Sequence, residues 1–154
     1  MMKIETTYHS KKVGQIIIVS ESNFITIYTS RLILSSLNQH NREKLITHTM
    51  RLMGSPENTA LFDDGHIWDE KKVVESVDLA INEWNGNTRF GVCAVHDAKT
   101  KEFMGNLNVD YNPSEFFTIF GKHKNAAEIG YIIDHNYWGK GYGTEIAIAG
   151  KKIH

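Results

Sequence analysis

The feature that most constrains this chain is a β-prone run that passes through a glycine-rich turn directly into a helix. The run covers residues 127–133, and a helical pattern begins at Thr144. Glycines let the backbone of the intervening turn approach a ligand and adopt conformations that a β-carbon resists. The first N–H groups of a helix lack intrahelical partners and lie at the positive end of its dipole. The segment therefore predicts a site for a phosphate or diphosphate, with Lys140 as a nearby cation.

Two well-known phosphate-binding patterns do not fit this turn. The P-loop spacing GxxxxGK[ST] is absent, and the glycines do not follow the GxGxxG fingerprint of dinucleotide-binding folds. The turn alone is also compatible with an ordinary strand–helix connection that binds nothing.

Composition excludes several classes of protein. The 154 residues are 41% hydrophobic and 23% charged, which is typical of one soluble domain, and the net charge of −1 favours neither nucleic acid nor membrane as a partner. No apolar run reaches the roughly 20 residues that span a bilayer, and the N-terminus lacks a secretory h-region, so we predict a cytoplasmic protein. The single cysteine, Cys93, is predicted to be a buried thiol. No histidine spacing predicts a metal site.

The N-terminal part predicts strands after a polar start. Residues 1–13 are interpreted as a poorly ordered lead, and 15–19 and 24–28 as a β-hairpin. Another strand is predicted over 31–34.

Two amphipathic helices are predicted next. The first follows Asn38 as N-cap and ends near Gly54, and the second follows Asp69 as N-cap and ends at Gly86. The segment 57–68 between them is interpreted as a loop.

Three strands follow the helices. They are predicted over 89–95, 103–111 and 127–133, and the second has a regular alternation of apolar and polar residues. The loop 112–125 separates the last two strands.

Three segments together resemble a known family. The run 127–145, with its specific core AEIGY…YWGKGYG, closely resembles the central motif of the GNAT superfamily of N-acetyltransferases. It is most similar to the branch that includes the ribosomal-protein N-terminal acetyltransferases. Residues 29–34 resemble the opening strand of that branch, and 103–107 resemble its middle strand. The resemblance covers 29–154 as one domain and leaves 1–28 as an N-terminal extension.

The resemblance implies an α/β (α+β) GNAT fold, a mixed but mostly antiparallel sheet flanked by helices, shortened at its C-terminus and preceded by the extra hairpin. Acetyl-CoA would lie beside strand 127–133 as acetyl donor, without a metal. Backbone groups near Ile132 and Ile133 would pair with pantetheine and polarise the thioester carbonyl. Trp138 stands where the family motif usually has Gln or Arg. The coenzyme contacts implied are Ile132, Ile133, Trp138, Gly139, Lys140, Gly141, Tyr142, Gly143 and Thr144.

The resemblance also assigns the chemistry. Glu128 is the candidate general base, acting directly or through a water; alternatively, its carboxylate only holds a substrate ammonium or a loop. His135 is a second candidate base because its ordinary pKa lies near neutrality. The family's usual donor of a proton to the leaving thiolate is a tyrosine beyond the end of this chain. None of Tyr131, Tyr137 and Tyr142 matches that position.

These residues leave several functional hypotheses open. The first is an N-acetyltransferase that acts on a primary amine such as a protein N-terminus, a polyamine or an amino sugar. The second is a catalytically inactive remnant that serves as a coenzyme A-binding or assembly module, and the third is a nucleotide-phosphate binder. Acidic loop residues could attract a cationic amine: Asp63, Asp64 and Glu115.

The absence of the family's next strand would leave one edge of strand 127–133 unpaired. Exposed strand edges promote pairing with other chains, so we predict that something covers this edge. The candidates are a second copy in a homodimer, the hairpin 15–28 or a swapped element.

Overall fold

One antiparallel sheet dominates the computed structural model, which describes residues 2–62, 64–86, 91–111 and 127–153. Its strands are hydrogen-bonded in sequence order. The strands are β1 (Lys3–Ser10), β2 (Gly14–Glu21), β3 (Phe24–Tyr28), β4 (Leu32–Ser36), β5 (Gly91–Asp97), β6 (Phe103–Tyr111) and β7 (Ala127–Ile133). The helices are α1 (Arg42–Met53), α2 (Pro56–Thr59), α3 (Glu70–Asn85) and α4 (Tyr142–Gly150), with 3-10 turns at Leu37–Gln39 and His135–Tyr137. The predicted α+β class is confirmed, and every described strand pairing is antiparallel.

Some sequence predictions fall on residues that are not described. Asp63 and the loop 112–125, which contains Glu115, lie outside the described residues, and so do the first two residues of the strand predicted over 89–95.

Helix α3 is anchored to the sheet by its predicted apolar stripe. Asp69 caps it by accepting a hydrogen bond from the backbone N–H of Lys72, as the sequence predicts. Near the other end, Trp84 is 1% exposed and donates its indole N–H to the Val92 carbonyl at 2.7 Å. Cys93 on the neighbouring strand is fully buried, and burial raises its pKa to about 12, which confirms the buried thiol.

No helix among the described residues has the length and apolar character needed to cross a membrane.

The interpretation of residues 1–13 as a poorly ordered lead is wrong. Residues Lys3–Ser10 form β1, which pairs with β2 from Lys3 opposite Glu21 to Ser10 opposite Gly14. Most of β1 is exposed, so its sequence shows no alternation of buried and exposed residues that would have predicted a strand. Its conformation is decided by hydrogen bonding to the apolar strand β2.

Two local predictions before α3 are also wrong. Asn38 is not the N-cap of α1: it lies in a 3-10 turn, and Asn41 caps the helix by accepting from Lys44 N–H. The segment interpreted as a loop over 57–68 begins inside the short helix α2, which has Pro56 at its first turn. Ser-Pro at a helix start is a known signal, because proline lacks only an N–H that would have no partner there.

The N-terminal hairpin does not cover the edge of β7. Strand β3 pairs with β4, so β1 and β2 extend the sheet at the end opposite to β7. Of the three elements predicted to pair with the free edge of β7, the hairpin 15–28 is therefore excluded by the strand order.

Strand β7 leaves no room for a side chain at Gly105 of β6. A β-carbon on Gly105 would lie 2.1 Å from the Ile132 carbonyl oxygen and 2.9 Å from the Ile133 Cα atom. We expect Gly105→Ala to force the two strands apart and to lower the free energy of unfolding by about 3 kcal/mol or more. Urea unfolding followed by circular dichroism measures this. Gly130→Ala on β7 is the matched control, since its β-carbon meets nothing within 4 Å; equal losses in both variants would contradict the close approach.

Three half-buried histidines lie together beside α1. The rings of His40 and His96 stack at 5.4 Å between centroids, and His48 lies 6.3 Å from His96. Burial lowers the pKa of all three, and that of His96 falls from 6.5 to about 4. The charges of Arg51 and Lys44 lower the pKa of His48 further.

This cluster makes the fold sensitive to acid. The unfolded chain binds more protons than the folded chain between pH 6.5 and about 4, so stability is lost as the pH falls through that window. We expect His96 alone to contribute a loss of about 1–2 kcal/mol between pH 7 and pH 5. Thermal unfolding at the two pH values measures it. His96→Gln should reduce the pH dependence and His9→Gln, at an exposed position, should not; the same slope in all three proteins would contradict the assignment.

Candidate active site

The glycine-rich turn after β7 has a backbone that glycine makes possible. Gly139 and Gly141 have φ angles of 77° and 81°, in the left-handed region. Gly141 is the N-cap residue of α4, whose first backbone bond runs from Glu145 N–H to the Gly141 carbonyl.

The turn presents a row of unused hydrogen-bond donors. No described residue accepts a hydrogen bond from the backbone N–H groups of residues 139–144. The Lys140 side chain is exposed beside them. Unpaired N–H groups at the start of a helix, together with a lysine, form an arrangement that binds anions.

A cavity of about 300 Å³ adjoins the turn. The end of β7, from Tyr131 to Ile133, forms one wall and the turn forms another. Asn58, Leu61 and Phe62 contribute from the segment after α1. The cavity thus places polar and apolar side chains next to the anion-binding donors.

Tyr131 lies directly on the first turn of α4. A β-carbon on Gly143 would lie 2.8 Å from the Tyr131 hydroxyl oxygen and 2.9 Å from its ring. Gly143 is therefore required by the close approach of this ring, whereas Gly139 and Gly141 are required by their φ angles. The contact places the Tyr131 hydroxyl beside the unused donors and leaves the side chain 44% exposed.

Asn58 joins the end of α1 to the end of β7. It is 4% exposed, and its side-chain N–H groups donate to the Leu52 carbonyl at 2.9 Å and to an Asp134 carboxylate oxygen at 3.3 Å. Its carbonyl oxygen accepts from the His135 backbone N–H at 2.7 Å and lies 3.1 Å from His135 Nδ1. Since buried polar groups are costly to leave unpaired, these hydrogen bonds of Asn58 fix the backbone at residues 134 and 135, just before the glycine-rich turn.

His135 does not line the cavity beside the turn. Its side chain lines a separate cavity of about 590 Å³, together with residues of α1 and of the β5–β6 connection. Tyr137, from the same 3-10 turn as His135, lines both cavities. The structure therefore does not bring the second candidate base together with the anion-binding donors.

Trp138 can offer a ligand only its ring. Its indole N–H donates to the Ile133 carbonyl at 2.8 Å, while the residue stays 53% exposed. The side chains of Ile132 and Ile133 are buried, with the Ile133 carbonyl engaged by Trp138. The indole thus takes part through its apolar face, unlike the Gln or Arg of the usual motif.

The remaining candidates for proton transfer are Glu128, Tyr137 and Tyr142, and each has a different environment. Glu128 lies in β7, where its backbone pairs with Asp110 of β6. The side chain of Glu128 lies outside the described part of the structure. Tyr137 donates its hydroxyl to a Glu102 carboxylate oxygen at 3.0 Å, and burial together with this acid raises the tyrosine pKa. Tyr142 lies with its ring 4.1 Å below the guanidinium of Arg31.

Three of these residues were not identified as functional from the sequence. From the sequence, Tyr131 is weighed only as a proton donor and does not match the family's donor position, although it lies in the strand predicted beside the coenzyme. Asn58 carried no motif, and the only local signal was the helix start at Ser55 and Pro56. Arg31 stood in the segment that resembles the opening strand, but no single-sequence signal links it to a turn more than 100 residues away.

Comparison with known proteins identifies the family. The family model of the acetyltransferase (GNAT) domain matches residues 31–153. The chain belongs to the GNAT acetyltransferase family, for which acetyl transfer from acetyl-CoA is the implied reaction.

Solved structures share this fold. The GNAT-family acetyltransferase from Bacillus anthracis superimposes with a TM-score of 0.61 at 15% identity, and an acetyltransferase from Agrobacterium tumefaciens with 0.59 at 21% identity. Each alignment covers 82% of this chain and 64% of the other chain. The chain therefore spans less than two thirds of the length of these two proteins, and the likeness concerns the fold.

Proposed function

We propose that this chain is an N-acetyltransferase that transfers an acetyl group from acetyl-CoA to a primary amine by direct attack. The observation that carries the proposal is the row of unpaired N–H groups at residues 139–144 beside a cavity at the end of β7. Membership of the GNAT family supplies the reaction type.

The residues of the turn fit a diphosphate. Their N–H groups are free among the described residues, and Lys140 adds a positive charge that no described side chain neutralises. In the proposed complex, the diphosphate of coenzyme A binds residues 139–144 and the pantetheine arm follows Ile132 and Ile133 along the cavity. Trp138 contributes an apolar ring face at the rim.

The proposed chemistry needs no covalent enzyme intermediate. Acetyl-CoA supplies, when bound, a thioester carbonyl that a neutral amine attacks with loss of the thiolate. Glu128 is the proposed base that removes a proton from the substrate ammonium, directly or through a water. Backbone N–H groups near Ile132 and Ile133 are proposed to stabilise the charge that develops on the carbonyl oxygen. Cys93 is no candidate nucleophile because it is fully buried and its pKa is raised to about 12.

The substrate that accepts the acetyl group is proposed from the similarity of the sequence to one branch of the family. The core AEIGY…YWGKGYG is similar to that of the ribosomal-protein N-terminal acetyltransferases, which favours a protein N-terminus. A polyamine or an amino sugar would present the same primary amine.

Calorimetry and a transfer screen test this function together. We expect coenzyme A and acetyl-CoA to bind and ATP to bind at least tenfold more weakly. We also expect thiol release from acetyl-CoA in the presence of an amine from a panel of peptide N-termini, polyamines and amino sugars. Coenzyme binding without turnover of any amine would instead support the non-catalytic binding module, and preference for ATP would contradict both.

The association of two copies stays a proposal. Among the described strands, β7 pairs only with β6, and its free edge is not reached by the N-terminal hairpin. We propose that a second copy covers this edge. Light scattering on dilute protein measures the mass, and a monomer at micromolar concentration would contradict a homodimer.

A further inference from the structure

We propose that Arg31, anchored by the buried carboxylate of Glu145, is a positioning residue that holds the turn 139–144 in its anion-binding conformation. The inference rests on the proposed function for its coenzyme, but the conformation of the turn can be tested without any ligand.

Glu145 provides the fixed point of this arrangement. It is 2% exposed, and one carboxylate oxygen accepts from the Thr29 hydroxyl and from the Arg31 backbone N–H. The other oxygen accepts from Arg31 Nε at 2.8 Å. A buried carboxylate persists only when it is paired and hydrogen-bonded, so these contacts tie the start of α4 to the segment that leads into β4.

Arg31 extends this anchor into the turn itself. Its Nη1 group donates to the Lys140 carbonyl at 2.9 Å, and its guanidinium lies 4.1 Å from the Tyr142 ring centroid. Its Nη2 group would lie 3.6 Å from a β-carbon on Gly141. One side chain therefore contacts Lys140 and Tyr142, on either side of Gly141, in the middle of the unpaired donors.

The geometry requires arginine rather than any cation. Nε and Nη1 point to two acceptors at once, Glu145 and the Lys140 carbonyl, and the flat guanidinium lies against an aromatic ring. A lysine ammonium is a point charge that cannot reproduce this planar fork. The Lys140 carbonyl lies between the left-handed residues Gly139 and Gly141, so the bond to it fixes the peptide orientation that the turn needs.

Hydrogen exchange on the ligand-free protein tests the inference. We expect Arg31→Lys to raise at least tenfold the amide exchange of residue 145, whose N–H donates to the Gly141 carbonyl in the turn, with little change in α3, which reports global unfolding. Glu145→Gln, which removes the anchoring charge, should change the same amide in the same direction. The matched control is Arg42→Lys, because Arg42 makes a comparable two-point contact with Asp78, at 2.7 and 3.0 Å, far from the turn.

The outcomes separate this inference from the proposed function. Unchanged exchange in Arg31→Lys, or an equal rise throughout the chain, would overturn the positioning role whether or not coenzyme A binds. In calorimetry we expect the variant to bind coenzyme A at least tenfold more weakly than the wild type. Wild-type affinity in the Arg31→Lys variant would show that a positive charge alone suffices, and it would also overturn the positioning role. A wild-type protein that fails to bind coenzyme A would instead contradict the proposed function.

Discussion

A variant in which Gly139 and Gly141 are both alanine is expected to bind coenzyme A at least about a hundredfold more weakly than the wild type, provided the proposed function is correct. Both residues have left-handed φ angles, of 77° and 81°. Holding a residue with a side chain in such a conformation costs about 1–3 kcal/mol. The turn can escape this strain only by changing its backbone, and its N–H groups then no longer point together at one anion.

Calorimetry with coenzyme A measures this loss, and Gly14→Ala is its matched control. Gly14, the first residue of β2, has a φ of 77°, and a β-carbon there would meet nothing within 4 Å. We expect the control to lose some stability and to keep wild-type affinity. Full affinity in the double variant would mean that the diphosphate binds elsewhere, and the coenzyme site proposed here would be wrong.

Replacing Glu128 by glutamine is expected to lower kcat for acetyl transfer by about 10²–10⁴-fold, the usual contribution of a general base. Glutamine keeps the size of the side chain but cannot accept a proton from the substrate ammonium. Because the coenzyme is proposed to bind residues 139–144, the affinity for coenzyme A should stay unchanged. Steady-state kinetics with an amine substrate, over a range of pH, measures both quantities.

The alternative role of Glu128 gives a different result. A carboxylate that only holds the substrate ammonium would raise KM in the variant and leave kcat nearly intact. Glu102→Gln provides the control, since Glu102 is an exposed acid that accepts a hydrogen bond from Tyr137 at the second cavity. A variant at position 128 with wild-type kcat would exclude the general base.

Much of the fold could be predicted where local signals were strong. The sequence predicts Asp69 as the cap of α3 and a strand over 103–111, and both predictions are confirmed because both signals depend on residues a few positions apart. The prediction failed for β1, whose exposed residues carry no pattern of their own. It also failed at the N-cap of α1, where Asn38 and Asn41 are both good capping residues and tertiary contacts of Asn38 with Asn23 and Asn85 decide between them.

The sequence by itself determined the donors of the candidate site, because a strand, a turn of glycines and a helix start within residues 127–150 create unpaired N–H groups whatever surrounds them. Only the tertiary structure decided what holds and borders those donors. Arg31 meets Glu145, 114 positions along the chain, and Asn58 meets His135, 77 positions along it. Such contacts depend on how the sheet and helices pack in three dimensions, and no local spacing of residues encodes them.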